Sequence, residues 1–180
     1  MPTIVIPYRG DAKRRLSSPI RAAAAVAMLG DVVAASVEVG RVLVVTDDRA
    51  VVPRGIEVVD DPGAGLGAAV QAGLAEADGH VLVINADLPC VTPAALHELA
   101  SHGLALVEAA DGTTNALSLP DPSVFAPLYG PGSAQRFRAR APFATARIPE
   151  LEVDVDSDAD LERLPSLVGP RTRALLAVPA

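Results

Sequence analysis

A chain of 180 residues is expected to form one domain spanning 1–180, because a chain this long buries roughly 70% of its unfolded surface and needs no staple to hold its core. Half of the residues are hydrophobic, yet Trp is absent and there are only two Tyr and three Phe, so the core must be built of small aliphatic layers, as in parallel sheets covered by helices. A net charge of −7 supplies no basic stripe for a nucleic-acid backbone, and no apolar run reaches the roughly 18 residues that span a bilayer. Thr3–Pro7 (TIVIP) then predicts a strand, followed by a polar, cationic loop, YRGDAKRRLSS. The Ala-rich stretch 20–37 predicts a helix closed by Gly40, since glycine readily supplies a left-handed cap. RVLVVTDD and, at 56–61, IEVVDD are aliphatic runs without alternation and predict parallel strands buried on both faces. PGAGLGAAVQAGLAEA is a glycine-rich turn leading into a helix, and HVLVINADLP repeats the pattern of a strand ending in an acid. Thr92 and Pro93 supply an N-cap and a first helical residue, so TPAALHELASHG predicts a helix ending at Gly103. LALVEA, TNALSLP and a proline-rich stretch follow, then a last strand in ELEVDVD and a terminal helix in SDADLERLPSL capped by Ser157 or Asp158. The alternation predicts an α/β fold: three layers, a mostly parallel sheet with helices on both faces.

Ligands of open α/β sheets bind at the carboxyl ends of the strands. Asp87, in NADLP, ends such a strand, where a carboxylate can hold a magnesium ion that bridges nucleotide phosphates, or can simply cap a loop. Asp154 and Asp156, two apart on the expected last strand, face one side; they either join Asp87 in a metal cradle or form a solvated acidic turn. Asp158 and Asp160 are read as cap and first-turn acids of the following helix. Arg9, Lys13, Arg14 and Arg15 follow the first strand of an otherwise acidic chain. They form a triphosphate clamp, with Lys13 as its best single member, or a solvated charged loop.

Gly65 and Gly67, in GAGLGAAV, can set backbone amides against phosphate or base, or serve tight strand-to-helix packing. DGTTNAL offers the hydroxyls of Thr113 and Thr114 beside Asn115. YGPGSAQRF sets Gly130, Gly132 and Ser133 before a helix start, where free N–H groups favour a phosphate or carboxylate; as a plain turn with a Ser N-cap it needs no ligand. Cys90 reads as a small buried residue, and a lone cysteine without a disulfide partner fits a reducing compartment. His80, His97 and His102 lack ligand spacing as a set. With no signal-peptide pattern at the N-terminus, a cytoplasmic location is expected.

In this order, AKRRLS, GLGAAVQAG, NADLPCVTPAAL, DGTTNAL, YGPGSAQRF and DVDSDADL resemble the 2-phospho-L-lactate guanylyltransferase family, whose relatives include phosphoenolpyruvate guanylyltransferases. The resemblance spans nearly the whole chain. It implies a nucleotidyltransferase fold of the glycosyltransferase-A type and transfer of GMP from GTP to phosphoenolpyruvate or 2-phospho-L-lactate, with release of pyrophosphate, in coenzyme F-420 biosynthesis. It further implies that Asp87, Asp154 and Asp156 hold Mg2+, that Thr114, Gly130 and Ser133 hold the three-carbon acceptor, and that Lys13 approaches the GTP phosphates. Arg9, Arg14, Gly65 and Gly67 complete the expected nucleotide side, with Asp87 and Lys13 as the catalytic pair. An already ionised acceptor phosphate needs no general base, so catalysis would be positioning plus charge neutralisation.

One loop and two positions depart from the family pattern. The first loop is short, Gly67 stands where many members have Asn, and Phe137 replaces a His that often follows GSxxR. Cytidylyl or molybdopterin guanylyl transfer is disfavoured by the DGTTNAL and YGPGS segments. A non-catalytic nucleotide-binding module would keep the phosphate clamp without needing three carboxylates. An expected labile product would favour hand-off to a downstream deazaflavin transferase.

Overall fold

The computed structural model describes residues 1–9, 21–163 and 167–177. Lys13, Arg14 and Arg15 lie outside the described residues. The strands are β1 (Thr3–Pro7), β2 (Arg41–Val45), β3 (Glu57–Val59), β4 (Val81–Ile84), β5 (Ala105–Glu108), β6 (Thr114–Leu119) and β7 (Ala144–Thr145). The helices are α1 (Arg21–Val37), α2 (Leu66–Leu74), α3 (Pro93–Ser101), α4 (Ser133–Arg140), α5 (Pro149–Glu152), α6 (Asp158–Arg163) and α7 (Pro170–Leu176).

The strands form one sheet in the order β3-β2-β1-β4-β6-β5-β7. Every neighbouring pair is parallel except those made by β6, which runs against both β4 and β5. Successive side chains of a strand point to opposite faces, and this alternation divides the core in two. Ile4, Ile6, Val42, Val44, Leu82 and Ile84 face Leu29 and Val32 of α1 and Leu96 and Leu99 of α3. Val5, Leu43, Val45, Val81 and Val83 face Val70 and Leu74 of α2 and Ala134 and Phe137 of α4. Helices therefore cover both faces, and the expected three-layer, mostly parallel α/β fold is what forms. α2 lies so close to the sheet that a β-carbon on Gly73 would sit 2.5 Å from Val5 Cγ1 and 2.8 Å from Val45 Cγ2.

Local signals read correctly where they depend on neighbours in sequence. Thr92 Oγ1 accepts from Ala95 N at 3.1 Å to cap α3, and Gly103 follows the helix at φ +66°. Three expectations fail. Gly40 is not a left-handed cap: its φ is not positive, and a β-carbon there would lie 2.0 Å from Pro2 O, so close packing against the chain start excludes a side chain. β3 is not buried on both faces: it is the sheet edge, with Glu57 exposed and held by two bonds from Arg41, at 2.8 and 2.7 Å. Charge on an edge strand blocks pairing with another chain. The predicted strand ELEVDVD is instead the short helix α5 followed by an irregular segment, because Pro149, lacking an N–H, suits a first helical turn, and Leu151 then reaches the core. A further helix, α7, follows where none was expected.

Candidate active site

Because β6 is reversed, its amino end lies beside the carboxyl ends of β1 and β4. Asn85, just past β4, stitches this edge together: its backbone N–H donates to Asn115 O at 3.0 Å and its Nδ2 to Thr114 O at 3.2 Å. Asn115 in turn donates through Nδ2 to Leu151 O at 3.1 Å, tying in α5. These amides hold the segments that carry the candidate residues. Asn85 carried no recognisable signal and Asn115 was marked only as a neighbour of Thr113 and Thr114, since their partners lie 29 and 36 residues away.

Asp87 follows two residues after Asn85. The Val155 N–H donates to Asp87 O at 3.1 Å, and Val155 is fully buried, so the irregular segment after α5 is pinned against the NADLP loop. Asp154 and Asp156 flank that anchor. Carboxylate oxygens of Asp87, Asp154 and Asp156 all lie within 4.8 Å of one another, with Asp87 and Asp154 half-buried and Asp156 exposed. Three converging carboxylates from two distant segments repel one another, and a hard divalent cation would offset that repulsion with a preferred oxygen set. The set thus fits a magnesium ion. Asp160 does what was expected of it: Oδ2 accepts from the Ser157 N–H at 2.8 Å and hydroxyl at 2.7 Å, capping α6.

A cavity of about 250 Å³ opens beside Asp87, lined by Pro7, Tyr8, Arg9, Ala25, Met28, Leu66, Asn85 and Ala86. The Arg9 guanidinium reaches it but is paired with the Asp61 carboxylate at 3.2 Å. Asp61 Oδ1 also accepts from Gly63 N at 2.8 Å, folding the glycine-rich turn. Gly65 ends that turn at φ +96° as the N-cap of α2, a backbone state that glycine alone adopts freely. Gly67 has a different cause. A β-carbon there would lie 2.7 Å from Pro127 Cβ, so packing against the segment before α4 excludes a side chain.

Across the β4–β6 seam, Thr114 and Ser133 are both buried and their hydroxyls share a hydrogen bond of 2.9 Å. Ser133 is the first residue of α4 and not its N-cap; Gly132, at φ +68°, holds that place, and Gly130 precedes it at φ +113°. The turn is held by Arg136, which sequence reading did not select. Its Nε and Nη2 donate to Leu128 O at 3.1 and 2.8 Å, Nη2 also to Tyr129 O at 3.0 Å, and Nη1 to Pro131 O. Beneath the turn, Phe137 packs with Tyr129, Phe125 and Phe143 at centroid distances of 5.5 to 6.2 Å. Phe137 is therefore a core residue. Thr113 donates to Asp111 through its N–H and hydroxyl at 2.9 and 2.6 Å, closing the turn before β6.

The other singled-out residues stand apart. His80 Nε2 bonds Ser118 Oγ at 2.8 Å at the start of β4, the far end of the sheet; burial, then the N-terminal ammonium, lowers its pKa. Cys90 is buried, and burial, then the Glu150 charge, raises its thiol. No helix among the described residues is long and apolar enough to cross a membrane.

The description "MobA-like NTP transferase domain" fits residues 20–136. A phosphoenolpyruvate guanylyltransferase from Thermomonospora curvata is 35% identical, with 97% of the chain and 88% of that protein covered. One of the same name from Streptomyces coelicolor is 34% identical, covering 97% and 95%. Among solved structures, a nucleotidyl transferase from Methanothermobacter superposes with a TM-score of 0.67 at 19% identity, covering 91% of the chain and 95% of its own. A 2-C-methyl-D-erythritol 4-phosphate cytidylyltransferase from Thermus thermophilus superposes at 0.63 with 17% identity, covering 97% and 98%. The two structures establish a nucleotidyltransferase fold.

Proposed function

The chain belongs to the phosphoenolpyruvate guanylyltransferases, within the MobA-like NTP transferases, and from that premise we propose that it joins GMP from GTP to phosphoenolpyruvate, forming enolpyruvyl-diphospho-guanosine and releasing pyrophosphate. The observation that carries the reading at the site is the convergence of Asp87, Asp154 and Asp156 within 4.8 Å beside a cavity at the strand ends. A non-catalytic binding module does not need that set.

In this reading an acceptor phosphate oxygen attacks the α-phosphorus of GTP. The new P–O bond forms as the α–β bridge breaks, and the electron pair leaves with pyrophosphate. The acceptor oxygen is already ionised, so no proton has to be removed. Asp87, Asp154 and Asp156 would hold Mg2+, which neutralises phosphate charge and orients the leaving group. Arg9, Lys13 and Arg14 would neutralise the triphosphate, and Gly65 would let backbone amides at the start of α2 approach the nucleotide. Thr114 and Ser133 would turn their hydroxyls to the acceptor, with Gly130 lending backbone in the Arg136-held turn. Such a site works by fixing two anions in line, a task worth several kcal/mol of barrier. The same reading assigns the enzyme to the cytoplasm and to coenzyme F-420 biosynthesis, with its product passing to a deazaflavin transferase.

Purified protein is mixed with GTP, Mg2+ and either phosphoenolpyruvate or 2-phospho-L-lactate, and pyrophosphate is followed. Release with phosphoenolpyruvate as the faster acceptor is expected; release only with 2-phospho-L-lactate moves the acceptor assignment, and release with neither overturns the enzyme reading. Asp87→Asn is expected to lower the rate by about a thousandfold, the loss of several kcal/mol of charge stabilisation, with no loss of thermal stability, since one of three repelling charges is removed.

A further inference from the structure

α7 is tied to the rest of the molecule by a buried carboxylate that the proposed reaction does not use. Asp31, on α1, is 3% exposed. Its Oδ1 accepts from Arg171 N at 3.0 Å, and its Oδ2 from Thr172 N at 2.9 Å and Thr172 Oγ1 at 2.7 Å, all in the first turn of α7. Arg171 returns across α1 to donate through Nη1 to Gly30 O at 2.9 Å. Two glycines make room for this joint. A β-carbon on Gly30 would lie 2.5 Å from Arg171 Cδ, and one on Gly169 would lie 2.5 Å from Asp31 Cγ. A carboxylate at a helix start is charge-favoured, but an apolar contact would pack two helices as well. What the carboxylate adds is direction: three donors converging on two oxygens fix α7 in one place.

That place touches both arms of the three-carboxylate set. Gly169 N donates to Pro89 O at 2.7 Å, two residues beyond Asp87. Leu175 and Leu176, at the other end of α7, pack on the cluster of Ala24, Met28 and Val155, and Val155 is the anchor between Asp154 and Asp156. We propose that Asp31 is a positioning residue for this set: by docking α7 it clamps the 154–156 segment against the Asp87 loop and so fixes the spacing of the carboxylates. The inference rests on the metal reading given above.

Manganese serves as the probe, titrated into the full-length protein and followed by electron paramagnetic resonance, with amide exchange read at Val155. The native protein is expected to bind it and to protect the Val155 N–H. Asp31→Asn, which keeps the shape but cannot accept all three bonds, is expected to retain its far-ultraviolet circular dichroism and weaken manganese binding about tenfold, as the loss of supports behind metal ligands does. Exchange at Val155 should quicken in parallel. If Asp31→Asn does not fold, Thr172→Val takes its place, removing only the hydroxyl bond, with about a threefold loss expected on the same footing. Manganese affinity and Val155 protection equal to the native protein's would overturn the proposal while leaving the metal reading intact. Failure of the native protein to bind manganese would sink both.

Discussion

Thr114 and Ser133 pose a question that only their pairing can answer. Each hydroxyl is the other's buried partner, so Ser133→Ala strands the Thr114 hydroxyl and is expected to cost about 1–3 kcal/mol. Removing both, in Thr114→Val with Ser133→Ala, should restore part of that stability, because an apolar pair leaves nothing unsatisfied. Acceptor binding should not recover. Urea unfolding alongside the Michaelis constant for phosphoenolpyruvate measures both, and parallel recovery of the two would make the hydroxyls purely structural. These two residues were legible because each sits in a short polar motif at an element's start. Asn85 and Asp31 were not, and Asn115 was legible in its motif but not in its role: these roles are set by partners far along the chain, up to 141 residues in the case of Asp31 and Thr172. Gly67 was legible as a glycine but not in its cause, since nothing in GLGAAV announces Pro127.

Among the elements, the turn before α4 depends on a single side chain from the helix it precedes. Arg136→Ala removes the donors that bind the carbonyls of Leu128, Tyr129 and Pro131. The Michaelis constant for the acceptor is expected to rise about tenfold, one to two hydrogen bonds to a charged group, while that for GTP stays near its native value. Steady-state kinetics with each substrate varied in turn will show it, and an equal rise in both constants would detach Arg136 from the acceptor side. The sequence pattern located α2 and α3 well, because their glycine and Thr-Pro boundaries act locally. It failed at ELEVDVD, where alternating apolar residues mimic a strand. With β7 pairing β5 earlier in the chain and Pro149 favouring a helical turn, that segment supplies Leu151 and Val155 to the core by another route.

Over the whole molecule, β1, β2 and β4 were legible in full, and β3 as a strand but not as the sheet edge. Continuous aliphatic runs dictate parallel strands under helices on both faces, and that dictates a site at their carboxyl ends. The reversal of β6 was hidden, because a fully buried strand reads alike in either direction. The reversal also brings Ser118, late in β6, against His80 at the start of β4, joining the sheet's two halves. Burial lowers the pKa of His80 below its ordinary 6.5, so protonation favours the unfolded chain. Stability from this group is whole above that value and falls as the pH drops below it. Urea midpoints at about pH 7.5 and pH 5.5, on either side of the ordinary histidine value, are expected to differ less in His80→Gln than in the native protein.

Tyr8 gives the cavity a voice of its own. Tyr8 is 5% exposed yet lines the space beside Asp87, and the chain has no tryptophan and one other tyrosine, Tyr129. With no indole to take up its excitation, tyrosine emission from this protein comes from two rings alone. One of them stands at the cavity wall, and Tyr8→Phe subtracts it, so occupancy of the cavity can be followed in solution by the protein's native ultraviolet fluorescence, with no label attached.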